Sequence, residues 1–413
     1  MSNTERLYYQ DSHLTQFDAR VLSVADAGVE GRAAVRLDRT AFYPTGGGQP
    51  TDTGALGGAR VFECVDEAEG GVLHLVEAAH APDVGALVRG EVDWPRRRDH
   101  IQQHTGQHIL SQAFIELHGA RTRGFRMMSE ASEIDLELAS PGDEAIEEAV
   151  NRANEIVWDD RPVRIHHVTA EEAARMPLRK DSAREGELRI VEIEGFDMSP
   201  CGGTHAHRTG EVGLVAVRSW ERAKGLTRIT FVAGARALSD YRRANRTARA
   251  VAALFSAGRD EAAEAVARLL EENKLLLRRA RALAELAAGA EARELMEEAV
   301  KVSGAGTPSG VARVVARVLE GRDAEGLKRL ASALVEHACT VALLGSRDGA
   351  DARLVFARAP DAPGDMSTLM REACQTLEGR GGGRPDMAQG GGRRAERLAE
   401  AIEQAARSLA NKT

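Results

Sequence analysis

The sequence predicts a multidomain protein of mixed α and β structure, in the α+β class. Three observations predict this class. Residues 1–90 hold short apolar runs separated by glycines, residues 91–238 mix helical and strand patterns, and residues 239–300 are rich in Ala, Leu, Glu and Arg and lack proline. Residues 301–413 add a last α/β unit. A chain of 413 residues is long enough for two to four domains.

The composition is that of an ordinary globular protein, with 43% hydrophobic and 29% charged residues. The N-terminus has no apolar segment typical of a secretory signal, and no apolar run approaches the roughly 18 residues that a membrane span needs. We therefore expect a cytoplasmic protein. The four cysteines are far apart, so no disulfide framework is expected, and at least one is a candidate metal ligand: Cys64, Cys201, Cys339 and Cys374.

The first predicted domain, residues 1–90, is all β. Strand-like runs occupy residues 33–37, 59–64 and 72–76. Strands this short, at this spacing, are typical of a small barrel or a small sandwich. The second predicted domain, residues 91–238, has both kinds of periodicity. Helices are predicted over 101–117 and 144–158, and strands over 163–168, 187–193, 213–217 and 227–232.

Residues 239–300 are predicted to form a helical connector with a heptad repeat. Two sets of positions, each spaced seven residues apart and offset by three, form the a and d seam: Val266, Asn273, Ala280, Ala287 and Leu269, Leu276, Leu283, Ala290. An asparagine at an a position sets the register of coiled coils. The pattern favours a coiled coil or a helical hairpin, and the alternative is a helix that packs on its own domain. A continuous helix of this length would reach about 90 Å.

The last unit, residues 301–413, combines predicted helices with predicted strands. The helices are expected over 311–319 and 327–334, and the strands over 340–344 and 354–357. A glycine-rich segment at 379–392 follows, and the chain ends in a helix rich in Ala, Arg and Glu.

The strongest chemical signal is a pair of histidines, His104 and His108, on the first predicted helix. Residues four apart lie on one helix face, and here that face is opposite the apolar stripe, so a buried core role is disfavoured. The alternative is two exposed histidines without function. A second pair, Cys201 and His205, lies in a glycine-bearing loop that can turn both side chains to one point.

One cysteine and three histidines suit tetrahedral Zn²⁺. His207 is a fifth candidate with a less suitable spacing, expected near the site or on the surface. Four protein ligands are typical of a closed structural site, so a catalytic role requires that one ligand be loose or displaced. A zincin protease is disfavoured because Thr105 occupies the position where that motif has its glutamate. No GxxxxGK[ST] nucleotide loop is present.

The net charge of −8 argues against a generic polyanion binder. Basic residues nevertheless gather beside the two motifs, which favours contact with a phosphate backbone, and the alternative is an ordinary solvated surface. These residues are Arg96, Arg97, Arg98, Arg121, Arg123, Arg126, Arg218, Arg222, Lys224 and Arg228.

Three separated motifs together resemble the long form of the AlaX family, free-standing relatives of the alanyl-tRNA synthetase editing domain. They are residues 42–50 (FYPTGGGQP), residues 103–108 (QHTGQH), and residues 201–205 (CGGTH) continuing into 209–213 (TGEVG). The resemblance covers nearly the whole chain. It implies an N-terminal β-barrel over 1–90, an editing domain over 91–238, a helical connector over 239–300 and a DHH-associated domain over 301–413.

The resemblance also implies roles for particular residues. His104, His108, Cys201 and His205 would hold Zn²⁺. The glycine motif, Thr45 with Gly46, Gly47 and Gly48, would help to select the amino acid, and a simple tight turn is the competing interpretation. Thr105 and Gln107, from the histidine motif, are the other expected substrate contacts. The strand after the histidine helix reads Arg123-Gly124-Phe125 and departs from the polar residue of the family, so substrate contacts are not transferred to it.

The function that this resemblance implies is the hydrolysis, in trans, of tRNA(Ala) carrying serine, with glycine as a second candidate. Because the chain begins at the barrel, we expect no upstream aminoacylation domain. The alternatives are a non-catalytic tRNA-binding protein with a structural zinc and, last, a DHH-type phosphoesterase, whose catalytic domain is missing. No catalytic proton carrier is assigned. In the tail, Arg380, Arg384, Arg393 and Arg394 are predicted to contact tRNA, and the alternative is that the C-terminal half forms a homodimer.

Overall fold

The computed structural model describes residues 4–67, 70–180, 186–303, 311–349 and 351–411. The chain divides into two compact units, Met1–Arg259 and Asp260–Thr413. The boundary between them falls inside the predicted connector 239–300. The finer four-part division stays a prediction.

The first unit begins with a closed barrel of six antiparallel strands in the order β2-β3-β7-β6-β5-β8. Alternate residues of each strand point inward, so Val35, Val61 and Val76 are fully buried in its core. The three strands predicted from the sequence are confirmed, and a barrel is formed rather than a sandwich. The strands are β1 Glu5–Arg6, β2 Gln16–Asp26, β3 Arg32–Leu37, β4 Arg39–Thr40, β5 Gly54–Leu56, β6 Ala59–Asp66, β7 Val72–Glu77 and β8 Leu87–Val92.

The helix that carries the two histidines, α1 (Trp94–His118), follows the barrel directly. Its start is fixed by Asp93, whose side chain accepts a hydrogen bond from the Arg96 backbone N–H, and by a proline in its first turn. Its end is fixed by Gly119 in the left-handed conformation. The helix begins at Trp94, earlier than the predicted residue 101. The prediction followed the apolar stripe, and these capping signals lie outside it.

The rest of the first unit packs helices against two sheets. One sheet has the order β14-β15-β10-β9 and the other β11-β12-β13. Ile109 and Phe114 of α1 meet Ile134 and Phe231 in one core. The elements are β9 Thr122–Met127, β10 Ser132–Leu136, α2 Asp143–Trp158, β11 Val163–Thr169, α3 Ala170–Ala173, β12 Glu187–Ile193, β13 Asp197–Pro200, β14 Val215–Ala223, β15 Leu226–Ala233 and α4 Gly234–Ala253.

The second unit is a six-stranded sheet, in the order β16-β17-β18-β19-β21-β20, with helices on both faces. Among these neighbours β17 and β18 run parallel and the others antiparallel. The elements are α5 Ala262–Glu297, β16 Val300–Ser303, β17 Val311–Glu320, α6 Ala324–Val335, β18 Thr340–Asp348, β19 Asp351–Arg358, α7 Met366–Thr376, β20 Arg380–Gly383, β21 Met387–Gly392 and α8 Leu398–Asn411.

The helix predicted over 311–319 is wrong, because this segment is strand β17. Val314 faces the core beneath α7 and α8, whereas Val315 faces the core beneath α6. The segment therefore has the two-residue alternation of a strand buried on both faces, in which apolar residues occur on both sides. A short apolar run of this kind does not distinguish strand from helix by periodicity.

The predicted connector forms two helices, α4 and α5, rather than one continuous helix. In α5 the d-position residues Leu269, Leu276 and Leu283 are 50%, 61% and 66% exposed. Their exposure is contrary to the alternative of a helix packed along its length on its own domain. The coiled coil itself stays a prediction. Among the described ranges, no helix is both long enough and apolar enough to cross a membrane.

Candidate metal centre

The two predicted ligand pairs come together in the first unit. Helix α1 supplies His104 and His108, and the loop that follows β13 supplies Cys201 and His205. One donor atom from each of the four lies within 4.8 Å of all the others. Cys201 Sγ is 3.4 Å from His104 Nε2 and 3.3 Å from His205 Nε2. Donors around a tetrahedral Zn²⁺ lie about 3.5 Å apart, so the spacing fits this ion.

The position of the two helix histidines opposite the apolar stripe suggested that they are exposed, but both are buried. His104 is 3% and His108 is 2% exposed. The polar side of α1 is covered by two segments from elsewhere in the chain, the turn around Gln49 of the barrel domain and the loop around Cys201. The alternative that the two histidines are exposed is therefore wrong. The helix wheel identified their shared face but not what covers it.

Each of the three imidazoles has a buried partner at Nδ1. His104 Nδ1 lies 2.7 Å from Gln49 Oε1, His108 Nδ1 lies 3.0 Å from Asp197 Oδ2, and His205 Nδ1 lies 3.3 Å from Thr105 Oγ1. Amide and carboxylate oxygens only accept, so His104 and His108 carry their proton at Nδ1. Nε2 of these two rings is then unprotonated, and its lone pair is free to bind a metal ion.

Gln49 is the residue that connects the glycine motif of the first domain to the metal centre. Its Oε1 accepts from His104 Nδ1 and from the Thr204 backbone N–H at 3.2 Å, and its Nε2 donates to Thr204 Oγ1 at 2.9 Å. The side chain thus holds a helix ligand and the ligand loop together. Gln49 belongs to the glycine motif, but the sequence predicts no role for it, because its contact with His104 spans 55 residues.

Asp197 and Arg179 form the support behind His108, and neither was predicted. Arg179 Nε donates to Asp197 Oδ1 at 2.7 Å. Burial works to raise the pKa of the Asp197 carboxyl, but the hydrogen bond from His108 and the charge of Arg179 outweigh it and lower that pKa to about 2. The carboxylate is therefore ionised and holds the His108 ring in one orientation.

The electrostatics of the cluster lower the pKa of the thiol and of two of the three imidazoles. Burial alone would raise the pKa of the Cys201 thiol, but His104 and His205 hold it well below its ordinary value. Burial lowers the pKa of His205 to about 3 and also lowers that of His104. Burial would likewise lower the pKa of His108, but its hydrogen bonds to Asp197 and Cys201 raise it. A thiolate and unprotonated imidazoles are the forms that bind metal.

The ligand loop keeps its shape through Arg189 and Gly203. Arg189 Nη1 donates to the carbonyl of Cys201 at 2.7 Å and to that of Gly203 at 3.1 Å. A Cβ added at Gly203 would overlap the imidazole ring of His104. Glycine is required here because the loop backbone lies close to the His104 ring. The sequence had predicted a different reason, the freedom of the glycine backbone to turn.

The glycine motif forms a tight turn, as the competing interpretation held. Gly46 and Gln49 bond to each other through their backbones, at 3.0 and 2.9 Å. A Cβ at Gly48, whose φ is +83°, would lie 2.5 Å from the Phe125 carbonyl oxygen. The Phe125 ring is 5.2 Å from the His104 ring, so the strand that sequence analysis set aside lies beside the centre. Thr45 is exposed on the same turn.

The other two predicted substrate contacts have internal partners. Thr105 is fully buried, and its hydroxyl oxygen accepts from the Ala206 backbone N–H at 3.0 Å besides contacting His205. Gln107 Nε2 donates to Ser111 Oγ at 2.8 Å, and the side chain is 5% exposed. Thr105 therefore supports the ligand loop from within, Gln107 is bonded inside α1, and a substrate contact of either residue stays a prediction.

Several of the clustered arginines form ion pairs within the chain, and their contact with a phosphate backbone stays a prediction. Arg97 is fully buried and bonds to Asp52 and to the carbonyls of Ser12 and Ala41. Four more pair with nearby acids, and these pairs are Arg123–Glu137, Arg126–Glu133, Arg218–Asp240 and Arg228–Asp135. Five of the ten clustered basic residues are therefore paired with an acid inside the chain.

In the tail, Arg380, Arg384, Arg393 and Arg394 are exposed. Arg384 lies 3.6 Å from Asp386, and Arg394 lies 3.4 Å from Glu378. The glycines between these arginines form the hairpin β20–β21, and a Cβ at Gly381 or Gly390 would collide with Cys374 of α7. These glycines permit close packing of the hairpin on α7, which is a structural reason for their presence.

A closed barrel joined to a domain with a buried His/Cys cluster defines a candidate metalloprotein. Residues 188–230, which include Cys201 and His205, match the "Threonyl and Alanyl tRNA synthetase second additional domain" family, and residues 311–411 match the "DHHA1 domain" family. The alanyl-tRNA editing protein AlaX-L of Pyrococcus horikoshii is 31% identical over 393 residues, which cover 94% of each chain. The chain therefore belongs to the AlaX-L family of alanyl-tRNA editing proteins, as its motifs predicted.

Alanine–tRNA ligases are also similar to this chain. The ligase of Pyrobaculum neutrophilum is 37% identical over 73% of this chain and 35% of its own length. The ligase of Natronomonas pharaonis is 34% identical over 98% of this chain and 44% of its own length. The chain thus spans less than half of these ligases. The crystal structure of the C-Ala domain from Aquifex aeolicus alanyl-tRNA synthetase has 25% identity and a TM-score of 0.24, over 27% of this chain and 98% of that domain.

Proposed function

We propose that the protein is a zinc-dependent aminoacyl-tRNA deacylase, a carboxylic ester hydrolase that edits mischarged tRNA(Ala) in trans. Serine is the expected chief substrate and glycine the second. The proposal depends on one observation, the four-donor cluster in which three imidazoles turn Nε2 inward while Nδ1 is held by a buried partner. The similarity to AlaX-L supports tRNA(Ala) as the partner.

The residues present fit the metal. His104, His108, His205 and Cys201 would hold Zn²⁺, and their nitrogen and thiolate donors are those that zinc prefers. When bound, the ion would polarise the ester carbonyl, activate a water molecule or anchor the substrate. Gln49, Asp197 and Thr105 fix the orientation of the rings. Phe125, at the edge of the cluster, offers an apolar wall beside His104.

The second candidate function is a tRNA-binding protein whose zinc is structural. It is favoured by the number of protein ligands, because four ligands are typical of closed structural sites. Against it, Cys201 is only partly buried, whereas the three histidines are almost completely buried. Cys201 is therefore the most accessible of the four ligand residues, and we expect a water molecule or the ester to enter from its side.

The deciding experiment is a deacylation assay with tRNA(Ala) charged with serine, glycine or alanine. Metal-free and zinc-reconstituted protein are compared, with Cys201→Ala as the site variant and Cys339→Ala as the matched cysteine control. We expect zinc to restore hydrolysis of the seryl and glycyl esters in wild type and in Cys339→Ala only. Tight tRNA binding without hydrolysis by the zinc-loaded protein would instead establish the structural alternative.

Amino-acid selection is proposed to involve Thr45. This residue is exposed on the turn whose other end, at Gly48, touches Phe125 beside the metal centre. A hydroxyl there could bond to the hydroxyl of serine, and alanine offers no such group. The exposed turn is thus a candidate wall of the amino-acid pocket.

tRNA affinity is proposed to depend on Arg380, Arg384, Arg393 and Arg394 of the second unit. The competing proposal, a homodimer formed by the C-terminal half, predicts a different result on truncation after Arg259, which keeps the whole first unit. Loss of tRNA binding with intact single-turnover hydrolysis at saturating substrate supports tRNA contact. Unchanged tRNA binding, with conversion of a dimer to a monomer on a sizing column, supports assembly.

The first unit offers a further cationic surface that sequence analysis missed, on helix α4. Arg242, Arg246 and Arg249 are exposed, and within the described ranges none forms an ion pair. Their spacing of four and three residues places them along one helix face. Unpaired guanidinium groups in a row suit the phosphates of a nucleic acid backbone.

The α4 surface is tested by Arg242→Ala/Arg246→Ala/Arg249→Ala. Each lost phosphate contact should reduce the slope of log affinity against log salt by about one, so the triple variant should flatten it by about three. The matched control removes the same charge from three ion-paired exposed arginines, Arg89, Arg164 and Arg175. Equal slopes for the two triple variants would show that α4 does not contact tRNA.

A further inference from the structure

A second cluster of metal-ligating side chains lies outside the centre described above. It consists of Asp11 and His13, from the segment before β2, and His207, from the ligand loop. His13 Nδ1 is 3.1 Å from His207 Nε2, and His207 Nε2 is 3.0 Å from Asp11 Oδ1. Asp11 Oδ1 and His13 Nδ1 are 3.9 Å apart. Three donor atoms from three residues therefore surround one point.

The proton positions make this point attractive to a cation. His13 Nε2 lies 2.8 Å from Glu211 Oε2, so this nitrogen carries the ring proton of His13 and Nδ1 keeps its lone pair. Asp11 Oδ1 is also an acceptor, and the His13 backbone N–H holds it in place at 2.8 Å. Without a metal, a single N–H of His207 must serve both acceptors. A metal ion would bind a lone pair of all three ligand atoms at once.

We propose that Asp11, His13 and His207 form a second metal site, for a divalent transition ion of the Zn²⁺, Co²⁺ or Ni²⁺ type. The ligands are His13 Nδ1, His207 Nε2 and a carboxylate oxygen of Asp11. Glu211 orients the His13 ring through Nε2, which is the usual role of a carboxylate behind a metal-bound histidine. Two imidazoles and one carboxylate suit these ions, whereas Mg²⁺ and Ca²⁺ prefer oxygen ligands alone.

The site is open, in contrast to the first centre. The side chains of His207 and Asp11 are 56% and 49% exposed, so water would complete the coordination and the affinity would be the lower of the two. The two sites share structural supports. His205, a ligand of the first, donates its backbone N–H to Ser12 Oγ at 3.1 Å, between Asp11 and His13. A metal at the second site would therefore clamp the N-terminal segment to the loop that carries His205 and His207.

The test measures metal stoichiometry of the full chain and does not depend on the proposed deacylase function. Metal-free protein is titrated with Co²⁺ at a pH above 7, and bound metal is counted after equilibrium dialysis. Cobalt bound to Cys201 gives a thiolate charge-transfer band, whereas a site of nitrogen and oxygen ligands gives none. We expect two ions per chain, one with the band and a weaker one without it.

Variants identify each ion. His13→Gln should keep the band and lose the second ion, and Cys201→Ala should lose the band and keep the second ion. The control is His80→Gln, an exposed histidine beside a single carboxylate, Glu77, at 3.0 Å, and it should bind both ions. Circular dichroism confirms that each variant is folded. A wild-type stoichiometry of one, or two ions in folded His13→Gln, would overturn the proposal.

Discussion

The residue whose replacement tests the metal centre most directly is Gln49, because it lies outside the ligand set. It is 1% exposed and makes three hydrogen bonds, to His104 Nδ1, the Thr204 backbone and the Thr204 hydroxyl. Gln49→Leu keeps a comparable volume but leaves two buried N–H donors without an acceptor. At about 1–3 kcal/mol for each unsatisfied donor, the free energy of unfolding should fall by about 2–4 kcal/mol after partial relaxation.

The same change should weaken metal binding. Loss of the partner behind a ligating histidine typically lowers metal affinity by about 10- to 100-fold, because the ring is no longer held in one tautomer and orientation. Gln49→Glu is the matched control. Its carboxylate can still accept from His104 and from Thr204, so it should bind zinc nearly as well as wild type.

The assay is competition for zinc against a chromophoric chelator, with urea unfolding of the zinc-free protein measured in parallel. The unfolding data separate loss of fold from loss of ring orientation. If folded Gln49→Leu binds zinc as tightly as wild type, the hydrogen bond to Nδ1 does not position His104. The buried partners at Nδ1 would then not be evidence for a metal at Nε2.

Three further predictions concern the ligand set, the barrel core and substrate selection. Cys201→Ala should lose most of the zinc held at the first centre, as measured by metal analysis of folded protein, and full retention would remove Cys201 from the ligands. Burial lowers the pKa of His74 from 6.5 to about 4, so the unfolded chain gains a proton at a higher pH than the folded chain. The contribution of His74 to the free energy of unfolding is therefore fully present above pH 6.5. About 3 kcal/mol of it is lost as the pH falls to 4. His74→Gln can keep the bonds to Thr40 and Val35 and should remove this dependence in pH-resolved unfolding, whereas an unchanged pH profile would assign it to other groups. Thr45→Val should reduce the ratio of seryl to alanyl ester hydrolysis by about tenfold, and an unchanged ratio would exclude Thr45 as the discriminating residue.

The sequence by itself determined the features that depend on neighbours along the chain. The i, i+4 spacing of His104 and His108 places both rings on one helix face in any fold that keeps α1 helical. The short apolar runs of β3, β6 and β7, separated by glycines, predict three short strands. The order of the three motifs was enough to identify the family.

The tertiary structure decided everything that depends on contacts between distant segments. It made 311–319 a strand, because neighbours on both faces bury Val314 and Val315, and it paired Arg97 with Asp52 across 45 residues. It also covered the polar face of α1 with Gln49 and Cys201. Hydrogen bonds and burial at these positions come from chain segments tens of residues away, and no local periodicity records which segment will arrive there.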